Sequence, residues 1–302
     1  MKDEKKCPFC SRATKEILSK RPDYECSLPI KFSYIQCLNP DCGHVSAKVP
    51  EDFDLTVLYG KYTTHKENRP ANLSVLAYLI PKEMRHFDAD WKALFAGKDL
   101  ASVSVLDFGC GNGNFLHKLK ALGISRVYGY DFDSKAMDVA KSTGCEVLAS
   151  LEADIKFDVI FLNHVIEHVL DPLKEVEKLK LLLDDGGIIY ASTPNIDSLT
   201  CKAFRDYWRG WETPRHVNVF CINSANRLIE LSTFSSSKSQ VTTKNSMFLG
   251  IYNESFVGKF WATKLGKVAR WLILIPFAWV AYIVAKFSKK YGEEVVMIFR
   301  QE

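Results

Sequence analysis

Short apolar runs alternate with helical patterns through the second half of the chain. Strand-like runs occur at residues 103–107, 127–131, 158–162 and 188–192. Helical spacing of apolar positions occurs at residues 114–122, 134–142, 172–183 and 224–231. A weaker strand pattern at 236–243 and a last strand at 294–300 follow. Because strands that alternate with helices form parallel sheets covered by helices, the pattern predicts an α/β fold.

The pattern divides the chain into three parts. Residues 1–50 carry paired cysteines, residues 51–100 form a connector with helical segments near 72–79 and 90–96, and residues 101–302 hold the strand–helix alternation. Within the third part, residues 245–291 interrupt the pattern before the last strand, so they are predicted to be an insertion. Domains usually hold about 100–200 residues. A chain of 302 residues therefore accommodates one large domain with a small accessory.

Composition and charge exclude several classes of protein. The chain is 47% hydrophobic and 25% charged, which is typical of a globular protein with a packed core and excludes global disorder. A net charge of +4 is too small to indicate a dedicated nucleic-acid binder. Nine cysteines are too few for a disulfide scaffold. No apolar run follows the charged residues 2–6, so we expect no secretory signal and a cytoplasmic location.

A glycine-rich turn follows the run at 103–107. It spans residues 109–113 (Gly-Cys-Gly-Asn-Gly), and a predicted helix begins at Asn114. Glycine lets the backbone approach a ligand closely, and free amides at a helix start favour an electron-rich group. Asp131 ends the next strand, 24 residues after Asp107, where a carboxylate suits the hydroxyls of a ribose. Position 114 is Asn, where the dinucleotide fingerprint has its third small residue, so the two patterns differ.

Residues 107–113 read D-x-G-x-G-x-G and resemble motif I of the class I S-adenosylmethionine (SAM) methyltransferases. Residues 157–172, which include Glu167-His168, resemble the fourth-strand motif of that family, and residues 182–187 resemble its turn before strand five. Residues 192–195 (Ser-Thr-Pro-Asn) and 214–220 resemble segments of a subgroup that acts on small molecules, sugars and lipid-linked precursors. That subgroup includes relatives of the ubiquinone O-methyltransferases.

The resemblance implies a Rossmann-like sheet, mostly parallel with an antiparallel last strand, and SAM as the cofactor. It places SAM against these residues: Asp107, Gly109, Cys110, Gly111, Gly113, Asp131, Phe132, Asn163 and His164. Glu152 and Asp154 are candidates for contacts with the adenine. Cys110 is interpreted as a small spacer in the turn and not as a nucleophile.

Three histidines near these motifs are candidates for acid–base chemistry. His164, Glu167 and His168 spell H-x-x-E-H, an inverted zinc-peptidase motif, but His164 directly follows a strand and is not expected on a helix. Methylation of a hydroxyl benefits from a general base, and histidine suits that role near neutral pH. We expect His216 or His168 to be that base, with a structural role for His168 as the alternative. Four neighbours of His216 either line an acceptor pocket or pack as a cap on the sheet: Tyr207, Trp208, Trp211 and Arg215.

Two short cysteine pairs lie near the N-terminus. Cys7 and Cys10 form the first pair, and Cys37 and Cys42 form the second, with His44 as a replacement for Cys42. Paired ligands on two turns are typical of a tetrahedral Zn²⁺ site, and four protein ligands indicate a structural rather than a catalytic metal. Residues 1–50 resemble the zinc ribbons that precede many such methyltransferases. Free thiols or a redox pair are the alternatives.

The insertion is apolar and basic. Residues 271–285 carry no charge, and residues 255–292 contain seven basic residues and no acid. As a helix, 15 residues span about 22 Å, which is short of the ~30 Å hydrocarbon core of a bilayer. We therefore expect residues 255–290 to lie on an anionic membrane surface, with a buried helical pair or a dimer contact as the alternative.

The sequence thus predicts a SAM-dependent methyltransferase with a zinc ribbon, acting on a small-molecule, sugar or lipid-linked acceptor, most simply at oxygen. Two other functions stay open: an rRNA or tRNA methyltransferase, and a non-catalytic SAM-binding protein at the membrane. Residues 1–50 carry no strong basic excess, which argues against nucleic acid as a partner.

Overall fold

The computed structural model describes residues 6–23, 27–50, 52–58, 91–151, 155–244, 264–288 and 290–301. The N-terminal part forms three antiparallel strands: β1 (Thr14–Arg21), β2 (Phe32–Cys37) and β3 (Val45–Ala47). Two short 3-10 helices, Leu55–Leu58 and Trp91–Phe95, belong to the predicted connector. The helical segment predicted near 72–79 lies outside the described residues.

Seven strands form the large sheet. They are β4 (Ser104–Phe108), β5 (Arg126–Tyr130), β6 (Glu146–Val147), β7 (Phe157–Asn163), β8 (Leu183–Pro194), β10 (Gln240–Lys244) and β11 (Glu294–Arg300). Their order is β10-β11-β8-β7-β4-β5-β6, with parallel pairing from β8 to β6 and antiparallel pairing of β11 with both neighbours. The predicted Rossmann-like sheet with an antiparallel last strand is confirmed. The two-residue strand β6 was not predicted.

Six α-helices lie within the described residues. They are α1 (Asn114–Ala121), α2 (Ser134–Ser142), α3 (Pro172–Lys180), α4 (Leu199–Phe204), α5 (Ile222–Leu231) and α6 (Lys264–Phe287). The Asp133 and Asp171 carboxylates accept hydrogen bonds from the first-turn amides of α2 and α3, which stabilises both helix starts. The short helix α4 carries no clear periodicity in the sequence and was not predicted.

The hydrophobic core lies on both faces of the large sheet. Side chains alternate along a strand, so Leu106 and Phe108 of β4 pack on one face while Val105 packs on the other. All three are fully buried. Cys37 and Cys42 of the N-terminal part belong to the same apolar cluster as Leu106, so the core continues from the large sheet into the N-terminal part.

A strand from the large domain completes the small sheet. Strand β9 (Asn218–Val219) pairs antiparallel with β3, giving the order β1-β2-β3-β9. Strands β1, β2, β3 and β9 therefore form one sheet, although the sequence predicts a domain boundary at residue 50. We call residues 6–50 the ribbon.

The insertion leaves the sheet at its functional edge. Lys244, at the end of β10, pairs with Glu294 at the start of β11, and Glu294 also pairs with Pro194 at the carboxyl end of β8. The chain therefore leaves the sheet at Lys244 and re-enters it at Glu294 at the edge where ligands bind in open α/β sheets. Among the helices that the structure describes, none is long and apolar enough to cross a membrane.

Candidate active site

The glycine-rich turn joins β4 to α1 in a left-handed conformation. Gly109 has φ +86° and Gly113 has φ +83°, a region that side chains with a Cβ rarely adopt. A Cβ on Gly109 would lie 2.4 Å from Val165 Cγ2, and one on Gly113 would lie 2.8 Å from Cys145 Sγ. Helix α1 has no side-chain cap at Gly113. The left-handed φ angles and this internal packing therefore require glycine at positions 109 and 113, and close approach of the turn to a ligand stays a prediction.

Asp131 lies beside this turn. Its Oδ2 accepts a hydrogen bond from Gly111 N at 2.8 Å, and its Oδ1 accepts one from Asp133 N at 2.9 Å. These bonds fix the carboxylate at the carboxyl end of β5, and each oxygen keeps a second lone pair for a ribose hydroxyl. The next side chain, Phe132, is 63% exposed, a large apolar surface suited to stacking against a base.

Two further predicted residues of the turn are buried. Burial, together with the nearby Asp131 carboxylate, raises the pKa of Asp107 to about 7. Burial and the Asp107 carboxylate raise the pKa of the Cys110 thiol far above its usual range, so Cys110 is a neutral thiol. A neutral thiol is a poor nucleophile, which agrees with the role of a spacer. The adenine candidates Glu152 and Asp154 lie outside the described residues.

His164 lies directly after β7 in a left-handed turn, with φ +55°. Its Nδ1 lies 3.3 Å from Glu167 Oε1, and its Nε2 lies 3.6 Å from Glu294 Oε1. Burial opposes a positive charge on this imidazole, but the Glu294 and Glu167 carboxylates outweigh it and raise the pKa of His164 to about 10. Glu294 Oε2 also lies 3.1 Å from Lys244 Nζ. His164 is thus a cation held between two buried carboxylates.

His168 and His216, the two alternatives for the base, lie next to each other. Their ring centroids are 4.6 Å apart in an edge-to-face arrangement. His168 Nδ1 is 3.2 Å from the Arg215 carbonyl oxygen, and His216 Nδ1 is 2.8 Å from the Gly210 carbonyl oxygen. Because a carbonyl only accepts, both Nδ1 atoms carry the proton and both Nε2 atoms hold a lone pair. Glu167 completes the group, with a carboxylate oxygen within 4.8 Å of both rings.

The two histidines differ in their access to solvent. His216 is only 4% exposed, and burial lowers the pKa of His216 to about 4. His168 is partly exposed. His164 does not join them: among the described residues, the clustered donor group contains Glu167, His168 and His216. The H-x-x-E-H spelling therefore does not produce the paired histidines of a zinc peptidase.

Residues 208–217 form a largely buried cap. Trp208 and Trp211 are buried in the core shared with the ribbon, and Arg215 is fully buried. Tyr207 is 44% exposed. The sequence left two alternatives for this segment, lining an acceptor pocket and packing as a cap. Trp208, Trp211 and Arg215 pack as a cap.

The four predicted cysteine ligands converge in the ribbon. Cys7 Sγ lies 3.7 Å from Cys42 Sγ, Cys10 Sγ lies 3.4 Å from Cys37 Sγ, and all four sulfurs lie within 4.8 Å of one another. Zn–S bonds of about 2.3 Å in a tetrahedron require S···S edges of about 3.8 Å, so the four sulfurs fit a zinc ion. None of the described cysteines forms a disulfide.

His44 is not part of this group. Its Nε2 lies 3.0 Å from Asn218 Oδ1, and its ring stacks on Phe9 at 4.0 Å between centroids. In the structure, therefore, Cys42 and not His44 is the fourth member of the cysteine group.

Several residues of this site carried no signal in the sequence. Glu294 starts β11, 127 positions after Glu167, and Glu212 lies 3.6 Å from His216 Nε2. Asp23 and Tyr34 reach the site from the ribbon. Acidic residues at strand ends are common, so only tertiary contacts distinguish these ones.

The sheet and the glycine turn after β4 define the class of protein: an α/β domain with a mostly parallel sheet and an antiparallel last strand, as the resemblance to class I methyltransferases implied. The chain belongs to a methyltransferase family, since the family described as "Methyltransferase domain" matches residues 80–234. The resemblance seen in the sequence is thereby confirmed.

Curated relatives are ubiquinone biosynthesis O-methyltransferases. The protein from Cereibacter sphaeroides is 31% identical over 150 residues, which covers 45% of this chain and 57% of that protein. The protein from Chelativorans sp. is 32% identical over 131 residues, covering 40% and 50%. This chain therefore spans little more than half the length of the curated relatives that it matches.

Solved structures with a similar fold include the plantazolicin methyltransferase BamL with SAH, at 17% identity and a TM-score of 0.43, covering 66% of this chain and 77% of that one. A possible histamine N-methyltransferase from Thermotoga maritima matches at 14% identity and a TM-score of 0.43, covering 70% and 87%.

Proposed function

We propose that this protein transfers a methyl group from SAM to a hydroxyl of a small-molecule or lipid-linked acceptor. The observation that carries the proposal is the left-handed glycine turn after β4, with the Asp131 carboxylate hydrogen-bonded to the amide of Gly111. Membership of the methyltransferase family and the O-methyltransferases among the relatives support it.

The residues of the turn fit SAM. Asp131 offers carboxylate oxygens to the ribose hydroxyls, Phe132 offers an exposed ring, and Asn163 and His164 end β7 at the same edge of the sheet. When bound, SAM supplies the methyl group as a sulfonium. The protein's own contribution is to align the acceptor oxygen and to exclude water, and such positioning contributes about 7–11 kcal/mol in well-oriented reactions.

His168 is the base in this proposal. The Arg215 carbonyl oxygen accepts the proton on Nδ1, so the lone pair of the neutral ring is on Nε2, which takes the proton of an acceptor hydroxyl in this proposal. The ring of His216 packs against the His168 ring, and burial lowers the pKa of His216 to about 4. A base of this kind contributes about 10²–10⁴-fold in rate.

The ribbon holds zinc in this proposal, through Cys7, Cys10, Cys37 and Cys42. Four protein ligands leave no open coordination position, so the ion stabilises the ribbon and does not activate a substrate.

Titration calorimetry with SAM tests the cofactor. We expect the zinc-loaded protein to bind SAM and Asp131→Ala to bind at least about tenfold more weakly, because a charge-assisted contact is lost. Asp138→Ala is the matched control, since Asp138 is an exposed carboxylate on α2. Equal binding by the Asp131 variant and wild type would contradict the cofactor site. An acceptor panel of catechol, a hexose and a prenylated phenol, with labelled SAM, then tests O-methylation.

We further propose that α6 rests on an anionic membrane. Its exposed face carries a stripe of apolar residues at helical spacing, which we call the apolar stripe: Leu272, Pro276, Trp279, Val280, Ile283 and Phe287. The opposite face packs inward, with Ala281 1% exposed and the Phe277 ring 5.9 Å from that of Phe204. The surrounding residues 255–292 carry seven basic side chains and no acid, and beside an exposed apolar stripe such charges favour an anionic lipid surface. Such a surface beside the cofactor edge suits a lipid-linked acceptor at the inner face of a membrane.

Vesicle flotation tests the stripe. We expect wild type to float with vesicles that contain phosphatidylglycerol and not with phosphatidylcholine alone, and Val280→Glu/Ile283→Glu to lose flotation. Leu181→Glu is the matched control, because Leu181 is 72% exposed after α3 and outside the stripe. Unchanged flotation of the double variant would refute this partner, and dimer formation through the stripe would show instead as a change in sedimentation.

A further inference from the structure

We propose that the ribbon positions the catalytic base: Asp23, Tyr34 and Ala47 hold three consecutive residues, 215–217, and this segment in turn orients His168. The inference rests on the proposed function, in which His168 is the base. It assigns the ribbon a role in the active site beyond holding zinc.

The first contact is an ion pair between Asp23 and Arg215. Arg215 Nη1 lies 3.1 Å from Asp23 Oδ2, and Nη2 lies 3.2 Å from Asp23 Oδ1, so the guanidinium donates two parallel hydrogen bonds. Both side chains are fully buried. A bidentate pair in a dry environment fixes direction as well as distance, so the ribbon sets the position of Arg215.

The second and third contacts fix the next two residues through their backbone. Tyr34 of β2 donates its hydroxyl hydrogen to the His216 carbonyl oxygen at 2.9 Å, and Tyr34 is fully buried. The Ala47 amide of β3 donates to the Val217 carbonyl oxygen at 2.8 Å, just before β9 joins the same sheet. Each of residues 215, 216 and 217 therefore contacts a different part of the ribbon.

The held segment connects directly to His168. The Arg215 carbonyl oxygen accepts the Nδ1 proton of His168 at 3.2 Å, and the His216 ring packs on the His168 ring. Directly before His168 in the chain, the Glu167 carbonyl oxygen accepts from the amides of Val217 and Asn218 at 2.9 and 3.0 Å. A shift of residues 215–217 therefore moves the acceptor that keeps the His168 proton on Nδ1.

The tautomer of His168 is the property that this arrangement controls. With the proton on Nδ1, the lone pair is on Nε2, the atom that would face an acceptor hydroxyl. If the Arg215 carbonyl moves away, both tautomers become accessible and the fraction of competent base falls. Tyr34, Asp23 and Arg215 are positioning residues in this sense, since they act through His168.

Tyr34→Phe tests the inference with a minimal change. It removes one hydroxyl and keeps the aromatic ring against Trp211, whose centroid is 5.2 Å away. Long-range ¹H–¹⁵N spectra of the full, zinc-loaded chain with S-adenosylhomocysteine report each histidine tautomer, and His168→Gln assigns the signal. We expect the Nδ1–H form in wild type and a mixture of tautomers in Tyr34→Phe. Tyr128→Phe is the matched control in β5.

Kinetics provide the second measurement. With any acceptor that the panel identifies, Tyr34→Phe is expected to lower kcat about tenfold or more while the KM for SAM is unchanged. An unchanged His168 tautomer in Tyr34→Phe would overturn the inference even if SAM binds normally. Failure of wild type to bind SAM in calorimetry would instead refute the proposed function, so the two failures are distinguishable.

Discussion

The buried ion pair between Asp23 and Arg215 gives a strong prediction about stability. Asp23→Ala would leave a guanidinium inside the protein without its bidentate carboxylate. Removing one partner of a buried pair costs about 3–5 kcal/mol. Glu212 Oε1 stays 3.4 Å from Arg215 Nε and compensates part of the charge. We therefore expect a loss near the lower end of that range, about 3 kcal/mol in the free energy of unfolding.

Urea unfolding of the zinc-loaded protein measures this loss. A double-mutant cycle with Arg215→Met isolates the pairwise part, since the methionine removes the charge and keeps most of the apolar stem. Glu16→Ala is the matched control in the same sheet: Glu16 lies 2.9 Å from Lys48 Nζ, but both side chains are exposed. An exposed pair of this kind contributes about 0.2–1 kcal/mol.

A loss below about 1 kcal/mol for Asp23→Ala would refute the reasoning, because the pair would then behave like an exposed one. It would also remove the physical basis for a rigid interface between the ribbon and residues 215–217. A loss near 3 kcal/mol with a coupling energy of similar size would support that interface.

Three further predictions concern the turn, the cysteines and pH. Gly109→Ala should destabilise the fold by about 1–2 kcal/mol because alanine disfavours the left-handed φ of this position, and the 2.4 Å approach of the new Cβ to Val165 adds to that loss. The variant should also lose SAM binding in calorimetry. Normal binding would contradict the turn as the cofactor site. Cys42→Ser should weaken zinc binding measured by competition with a chelator, whereas His44→Ala should not, and the reverse result would exclude the four-cysteine site. The raised pKa of His164, about 10, implies a contribution to stability that is fully present below pH 6.5 and is lost as pH rises through 10. The free energy of unfolding of the wild type should therefore fall as pH rises from 6.5 to 10, and that of His164→Asn should fall less. Identical pH profiles for the two proteins would show that Glu294 and Glu167 do not hold His164 as a cation.

Local pattern was sufficient to predict the large sheet. The run at 103–107 became β4 (Ser104–Phe108) with a shift of one residue, and the glycine turn after it has the conformation expected from its composition. These features depend on side-chain periodicity and on the φ preference of glycine, and both are properties of a few consecutive residues. The convergence of four cysteines was predictable for a similar reason, since short ligand spacings report paired turns.

Other features depended on contacts between distant parts of the chain. Strand β9 has two residues and forms only because β3 provides a partner. The sequence left His44 open as a ligand, and the structure instead places it against Asn218, 174 positions away. The choice between His168 and His216 as the base likewise depended on exposure, which differs between two residues with the same chemistry.

The sequence by itself determined the α/β class, the mostly parallel sheet with an antiparallel last strand, the glycine turn with Asp107 and Asp131, and the cysteine cluster. Tertiary structure alone decided how the ribbon joins the active site, because the contacts of Asp23 with Arg215 and of Tyr34 with His216 connect residues 192 and 182 positions apart. A periodic pattern records which face of an element is buried. It does not record which distant polar group will satisfy a buried charge or carbonyl, and that pairing is settled only when the elements pack.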